Sequence, residues 1–167
     1  MQLRVEQDFG SVDPDAIVGA YQSPELYTEL TDLPFVGSPT LDSVERDEDA
    51  RRTHVASRWK VQLELPAVAL AFVDPDRLVF VEEAELHDDG SGTFRIVPDH
   101  YAKLLRASGE TTVSASSGTT VRTTTGNLKV DLGWKGKLFE SQVEQAIVDG
   151  LTKALRAQVP QILRTLS

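Results

Sequence analysis

The chain has 167 residues and a mass of 18.3 kDa, the size of one compact domain and too short for two with separate full-size cores. Hydrophobic residues make up 40% and charged residues 26%, enough apolar material for a core and too much for a disordered chain. There is no cysteine, which excludes disulfide scaffolds, thiolate zinc sites and cysteine nucleophiles, and the net charge of −9 opposes binding to a phosphate backbone.

The acid is concentrated at the start: residues 1–50 hold Arg4 and Arg46 against twelve carboxylates, whereas the rest carries fifteen basic and fourteen acidic groups. One side of the molecule is therefore expected to be anionic. Leu3, Val5 and Phe9 alternate around Gln7 as in a strand and do not resemble a secretion signal. Asp13-Pro14 and Ser23-Pro24 are helix starts, because Asp or Ser accepts from free amides and Pro forfeits no helical hydrogen bond at the first position. With Ile17, Val18, Tyr21, Leu26, Tyr27 and Leu30 at helical spacing, they predict two short helices over about 14–22 and 24–32.

From residue 40 the period becomes two. A strand near 40–48 is followed by the clearest one, Thr53 to Leu65, where Val55, Ser57, Trp59, Val61 and Leu63 share a face opposite His54, Arg58 and Lys60. Turn signals at Asp74-Pro75-Asp76, Asp88-Asp89-Gly90-Ser91-Gly92 and Ser116-Ser117-Gly118 separate strands near 77–87, 92–98, 106–116 and 118–133, with an irregular stretch from Pro98 to Leu105. Their close spacing implies antiparallel hairpins. Val143, Ile147, Leu151 and Leu155 then recur every four residues in a final amphipathic helix of about 28 residues, ~42 Å long, which Pro160 should bend. The apolar run from Leu65 to Val73 is broken by Pro66 and is far short of the ~20 residues that span a bilayer. No integral membrane segment and a cytoplasmic location are expected.

The order of strand, two short helices, six antiparallel strands and a long terminal helix resembles the α+β helix-grip fold of the START-related lipid-transfer and polyketide-cyclase superfamily. More narrowly it is similar to an uncharacterised actinobacterial family within it. The resemblance spans the whole chain, residues 1–167, through Asp13-Pro14, Ser23-Pro24, the Leu65-Pro66 segment running through Phe72 to Leu78, and the strand Leu128 to Leu132 entering the final helix. It implies a curved seven-stranded sheet wrapped around the helix and an internal cavity between them. It carries over no catalytic residue, since the fold hosts transport, cyclisation and protein interaction alike.

Alternation places Trp59, Val61, Leu63, Val130, Leu132 and Trp134 on the cavity face, with Phe80 less firmly placed because both faces of its strand hold apolar groups. Ile147, Gly150 and Leu151 face them from the helix; Gly150, unfavourable there by ~1 kcal/mol relative to Ala, implies close approach to the sheet or room for a ligand. Glu82 shares parity with Leu78, Phe80 and Leu86. A buried carboxylate requires a raised pKa, a cation such as Arg95, or a register that instead places Glu82 or Arg95 outside, the simpler alternative. His54, His87 and His100 lack metal-ligand spacing, the acids from Glu82 to Asp89 lack a calcium loop's pattern, and Gly133 and Gly136 suit a strand-to-helix turn better than a phosphate loop. No metal and no cofactor are expected.

Three functions remain open. The favoured one is non-enzymatic carriage or sensing of a hydrophobic small molecule, lipid or polyketide-like, by a monomer or weak dimer. The second is a cyclase or dehydratase, whose acid–base group would be Glu82, with Arg95 or Tyr101. The third is a protein-interaction module, with the acidic N-terminal third as contact surface for a protein partner.

Overall fold

A computed structural model of the chain describes every residue except Leu63, Leu65 and Pro66. Among the described residues, strands β1 (Gln2–Asp8), β2 (Thr40–Asp47), β3 (Arg52–Lys60), β4 (Val79–His87), β5 (Ser91–Pro98), β6 (Leu105–Ser116) and β7 (Thr119–Val130) form one antiparallel sheet in the order β1-β7-β6-β5-β4-β3-β2. Strands β2 to β7 are a meander of hairpins, and β1 extends it by pairing with β7, Val5 opposite Thr124 and Gln7 opposite Arg122. The curved sheet grips the long helix α4 (Glu140–Thr165).

Helix α1 (Pro14–Tyr21) starts as its sequence dictates: Pro14 occupies the first turn and the Asp13 carboxylate accepts from the Asp15 amide at 2.9 Å. Ile17, Val18 and Tyr21 are its buried stripe. The second helix is much shorter than expected. Only α2 (Leu26–Glu29) is helical, because Leu30 is already extended and Asp32 takes a positive φ of 48°. The Ser23 hydroxyl bonds the Glu25 carboxylate and caps no helix amide. The apolar spacing is satisfied all the same, because Leu26, Tyr27, Leu30 and Leu33 are all buried in the core, the last two from non-helical backbone.

The end of α1 is clamped to the sheet. Gln22 donates to the Leu86 carbonyl and the Asp88 carboxylate, both at 3.1 Å, and Arg46 of β2 donates to both Asp88 oxygens at 2.6 and 2.8 Å. These contacts hold the Asp88 carboxyl well below the usual carboxylate range. The acids near the β4–β5 turn thus meet basic side chains: Glu85 lies 3.3 Å from Arg52 and 2.9 Å from His87.

The β3 ladder ends at Lys60, and the expected extension to Leu65 runs into residues outside those described. Beyond it the chain makes short 3-10 turns at Ala69–Ala71 and Pro75–Arg77. The stretch after β5 is a brief turn, with the Leu104 amide donating to the Tyr101 carbonyl at 2.7 Å.

The end of β7 is tied to α4 by carboxylates of the helix's first turns. The Val130 amide donates to Glu144 and the Leu132 amide to Glu140, each at 3.0 Å. Between them lies one helical turn, α3 (Gly133–Gly136). α4 continues through Pro160, and its buried residues Val143, Ile147, Gly150, Ala154, Gln158 and Ile162 face the sheet and the α2 region. No helix among the described residues is long and apolar enough to cross a membrane.

Candidate functional site

The inner faces of β3 to β7 and the buried stripe of α4 do not close completely. Two adjoining chambers remain, each about 60 Å³, with Phe80, Ile96, Ala107, Leu128 and Leu151 contributing to both. The outer chamber is almost wholly apolar and is completed by Phe35, Val61, Val73, Tyr101, Leu132 and Ile147. The deep chamber has an apolar wall that includes Trp59 and Phe94, and a polar part formed by the inward-facing Glu82, Arg122, Thr124 and Gln158, while the exposed Ser108 and Asn127 border it from the outer face.

That polar part grows from the strand registers. On β4, Phe80, Glu82, Ala84 and Leu86 alternate inward; Glu82 stands opposite Ser57 of β3 and Ile96 of β5. On β7 the inward set is Thr120, Arg122, Thr124, Leu128 and Val130. Arg122, only 6% exposed, donates from one guanidinium nitrogen to Gln7 Oε1 at 2.9 Å and lies 4.0 Å above the Tyr21 ring. Gln7 donates in turn to the Tyr21 hydroxyl at 3.2 Å and to the Leu155 carbonyl, while Tyr21 donates to Gln158 of α4 at 3.1 Å. This network links β1, α1, β7 and α4, and it satisfies Gln7 in the core. Ser57 is likewise engaged, accepting from the Trp59 indole at 2.9 Å.

Glu82 is half-buried, facing the deep chamber, and its carboxyl makes no hydrogen bond among the described residues. Removal from water pushes its pKa up, and the positive charge of Arg122 opposes that rise only in part. Burial also pushes the Tyr21 and Tyr27 phenols up. The Thr124 hydroxyl, buried beside them, has no hydrogen-bond partner among the described residues.

Of the residues singled out by alternation, Trp59, Val61, Phe80, Glu82, Leu132, Ile147 and Leu151 line the chambers, and Leu63 lies outside the described residues. Val130 is fully buried, but in the packed cluster of Leu128, Leu132, Val143 and Ile147 rather than on a chamber wall. Trp134 is a correction: it is 85% exposed on α3. The strand ends at Val130, and Gly133, at φ 70°, turns the chain out of the sheet before the period-two pattern reaches Trp134.

Gly150 is a second correction. A Cβ there would lie 2.2 Å from the Phe35 ring, so the close approach is to the segment after α2, neither to the sheet nor to a ligand. Arg95 takes the simpler of its two expected placements, pairing with Glu83 on the outer face, and Arg122 is the cation near Glu82. Arg122 itself is readable by counting back in twos from Val130 through Leu128 and Thr124, but it stands in a threonine-rich run that shows no apolar alternation of its own. His54 is on the outer face beside Glu85 at 3.7 Å, and His100, although exposed, reaches the outer chamber.

A seven-stranded antiparallel sheet gripping a long C-terminal helix is the START and polyketide-cyclase type of helix-grip fold, and this chain has it. Among solved structures it is similar to TTHA0849 from Thermus thermophilus, with a TM-score of 0.71 and 17% identity over 100% of both chains. It is similar to the Zhui aromatase/cyclase from Streptomyces sp. R1128, with a TM-score of 0.61 and 12% identity over 99% of this chain and 93% of that one. A START superfamily protein from Mycobacterium smegmatis has a TM-score of 0.52 at 12% identity, covering 97% of each chain. No protein-family model and no curated protein matches the sequence, so the likeness is one of fold.

Proposed function

We propose that this protein binds a hydrophobic small molecule, lipid or polyketide-like, between the sheet and α4, and serves as a carrier or sensor rather than an enzyme. One observation carries the reading: two adjoining chambers with mainly apolar walls, where a domain of this size could have been packed solid. The likeness to aromatase/cyclase and START structures supports it. At about 60 Å³ each, the chambers are small beside the ~300–1,000 Å³ of typical ligand sites, so a ligand must part the walls. The outer chamber can yield at low cost, because residues 69–78 and 99–104 form part of its wall outside the main strand ladders.

Tryptophan fluorescence tests this directly. In a Trp134→Phe background the remaining indole, Trp59, lines the deep chamber. Fatty acids or polycyclic aromatics should change its emission saturably, and Trp59→Leu should keep the fold while altering affinity, measured there by calorimetry. Failure of a broad panel of lipids, aromatics and polyketide mimics to bind would remove the reading.

A cyclase-type activity is favoured by one specific feature, the cavity-facing Glu82 carboxyl with its raised pKa. Glu82→Gln separates the two: a carrier keeps its binding of neutral ligands, while a proton-transferring enzyme loses turnover with binding preserved.

A further inference from the structure

The polar part of the deep chamber has an unbalanced set of partners. The Arg122 guanidinium is buried, yet among the described residues its hydrogen bond and its ring contact are with neutral groups, the Gln7 amide oxygen and the Tyr21 ring. A buried guanidinium is costly without an anion, and Glu82, whose carboxyl feels its positive charge, makes no direct bond to it among the described residues. Beside Arg122, the buried Thr124 hydroxyl has neither donor nor acceptor partner among the described residues. A guanidinium, an unpaired hydroxyl and a carboxyl therefore line one cavity whose walls are otherwise mainly apolar.

Resting on the ligand-binding reading above, we infer that the deep chamber receives the carboxylate of an amphipathic acid, bound by Arg122 and Thr124 beside the Glu82 side chain, with the apolar body of the ligand in the outer chamber. An Arg–carboxylate contact is charge-assisted and can be bidentate, which neither an alcohol nor an amide reproduces. Phe80, Ile96 and Leu128, common to both chambers, give the apolar body a continuous wall.

Proton linkage follows from the placement of Glu82. A second carboxylate in that chamber repels an ionised Glu82, so the complex holds Glu82 as the acid, and binding takes up a proton wherever free Glu82 is ionised. The groups around Glu82 permit this assignment. Arg122 comes from β7, and Tyr21 and Tyr27, from α1 and α2, are phenols that burial keeps neutral. β3 offers Ser57 and Trp59, β5 Phe94 and Ile96, β6 Ala107 and Ser108, and α4 Leu151, Ala154, Leu155 and Gln158, none of which titrates.

Isothermal titration calorimetry of the intact protein with octanoate, octanamide and octanol tests the inference, run between pH 6 and 9 in buffers of different protonation enthalpy. Octanoate should bind at least tenfold more tightly than octanamide at pH 6. Its affinity should fall as pH rises, by up to tenfold per unit, with proton uptake. Glu82→Gln should keep the preference and abolish the pH dependence. Arg122→Gln should erase the preference while octanol binding persists, and Arg122→Lys should restore part of it; if these variants fail to fold, the ligand series on the unaltered protein decides alone. Equal affinity for all three ligands overturns the inference and leaves the ligand-binding reading standing, whereas saturable binding of none overturns both. Octanoate affinity that is level or rising from pH 6 to 9 overturns the role given to Glu82.

Discussion

At Glu82, one side chain decides between fold stability and function. Its carboxyl would be solvated in the unfolded chain and faces the cavity in the folded one, where desolvation raises its pKa despite Arg122. The sign follows: with the folded pKa above the unfolded one, stability is fully present below the unfolded pKa and is lost as pH rises through the folded value. Urea denaturation of the unliganded protein should therefore show it losing stability relative to Glu82→Gln as pH rises from about 4 to 8. The limiting slope is ~1.4 kcal/mol per pH unit for one proton. A pH-independent difference between the two would place the carboxyl in water. The exposed Trp134 belongs to the opposite class: at 85% exposure, Trp134→Phe should shift unfolding free energy by no more than ~0.5 kcal/mol, measured in the same way.

Among the elements, α4 packs against β1, β7 and α2, and at Gly150 it is approached closely by Phe35. Phe35 adopts φ 73°, outside the range most side chains favour, and its ring lies on the bare backbone of Gly150. Gly150→Ala should therefore destabilise by ~1–3 kcal/mol, although alanine is the better helix former. In a Phe35→Ala background the obstruction is gone and the same substitution should stabilise, by up to ~1 kcal/mol. A denaturation double-mutant cycle with no coupling would show that the ring moves aside freely. The first turns of α4 matter for a different reason: Glu140 and Glu144 accept from β7-end amides that have run out of strand partners, so they fix where the sheet stops.

For the molecule as a whole, the sheet and α4 stabilise each other. Val143, Ile147 and Ile162 are buried on the helix, joined by the partly buried Leu151 and Leu163, at ~1.5–3 kcal/mol for a fully buried side chain. That sum rivals the ~5–15 kcal/mol net stability of a typical domain. Removing residues 138–167 should thus abolish folding and expose the apolar sheet face, seen as loss of native circular dichroism and as aggregation. The intact chain should unfold in one calorimetric transition, and two well-separated reversible transitions would contradict a single cooperative unit.

Hydrophobic periodicity is enough to make the strand series and the terminal helix legible, because alternation and four-residue spacing are local consequences of which face is buried. It also places Trp59, Phe80, Leu132 and Leu151 inward, and leaves Glu82 as an anomaly to be explained. It fails where local and tertiary demands diverge. Leu30 and Leu33 are buried from extended backbone, so apolar spacing there overstates the second helix. Trp134 lies beyond the end of the strand whose parity was extended to it. The register that puts Arg122 opposite Gln7 and the wedge of Phe35 against Gly150 depend on residues more than one hundred positions apart in the chain, and the approach of Arg122 to Glu82 reaches across two intervening strands. Such pairings are set by how the curved sheet seats its helix, and the site's chemistry follows from that packing rather than from any local pattern.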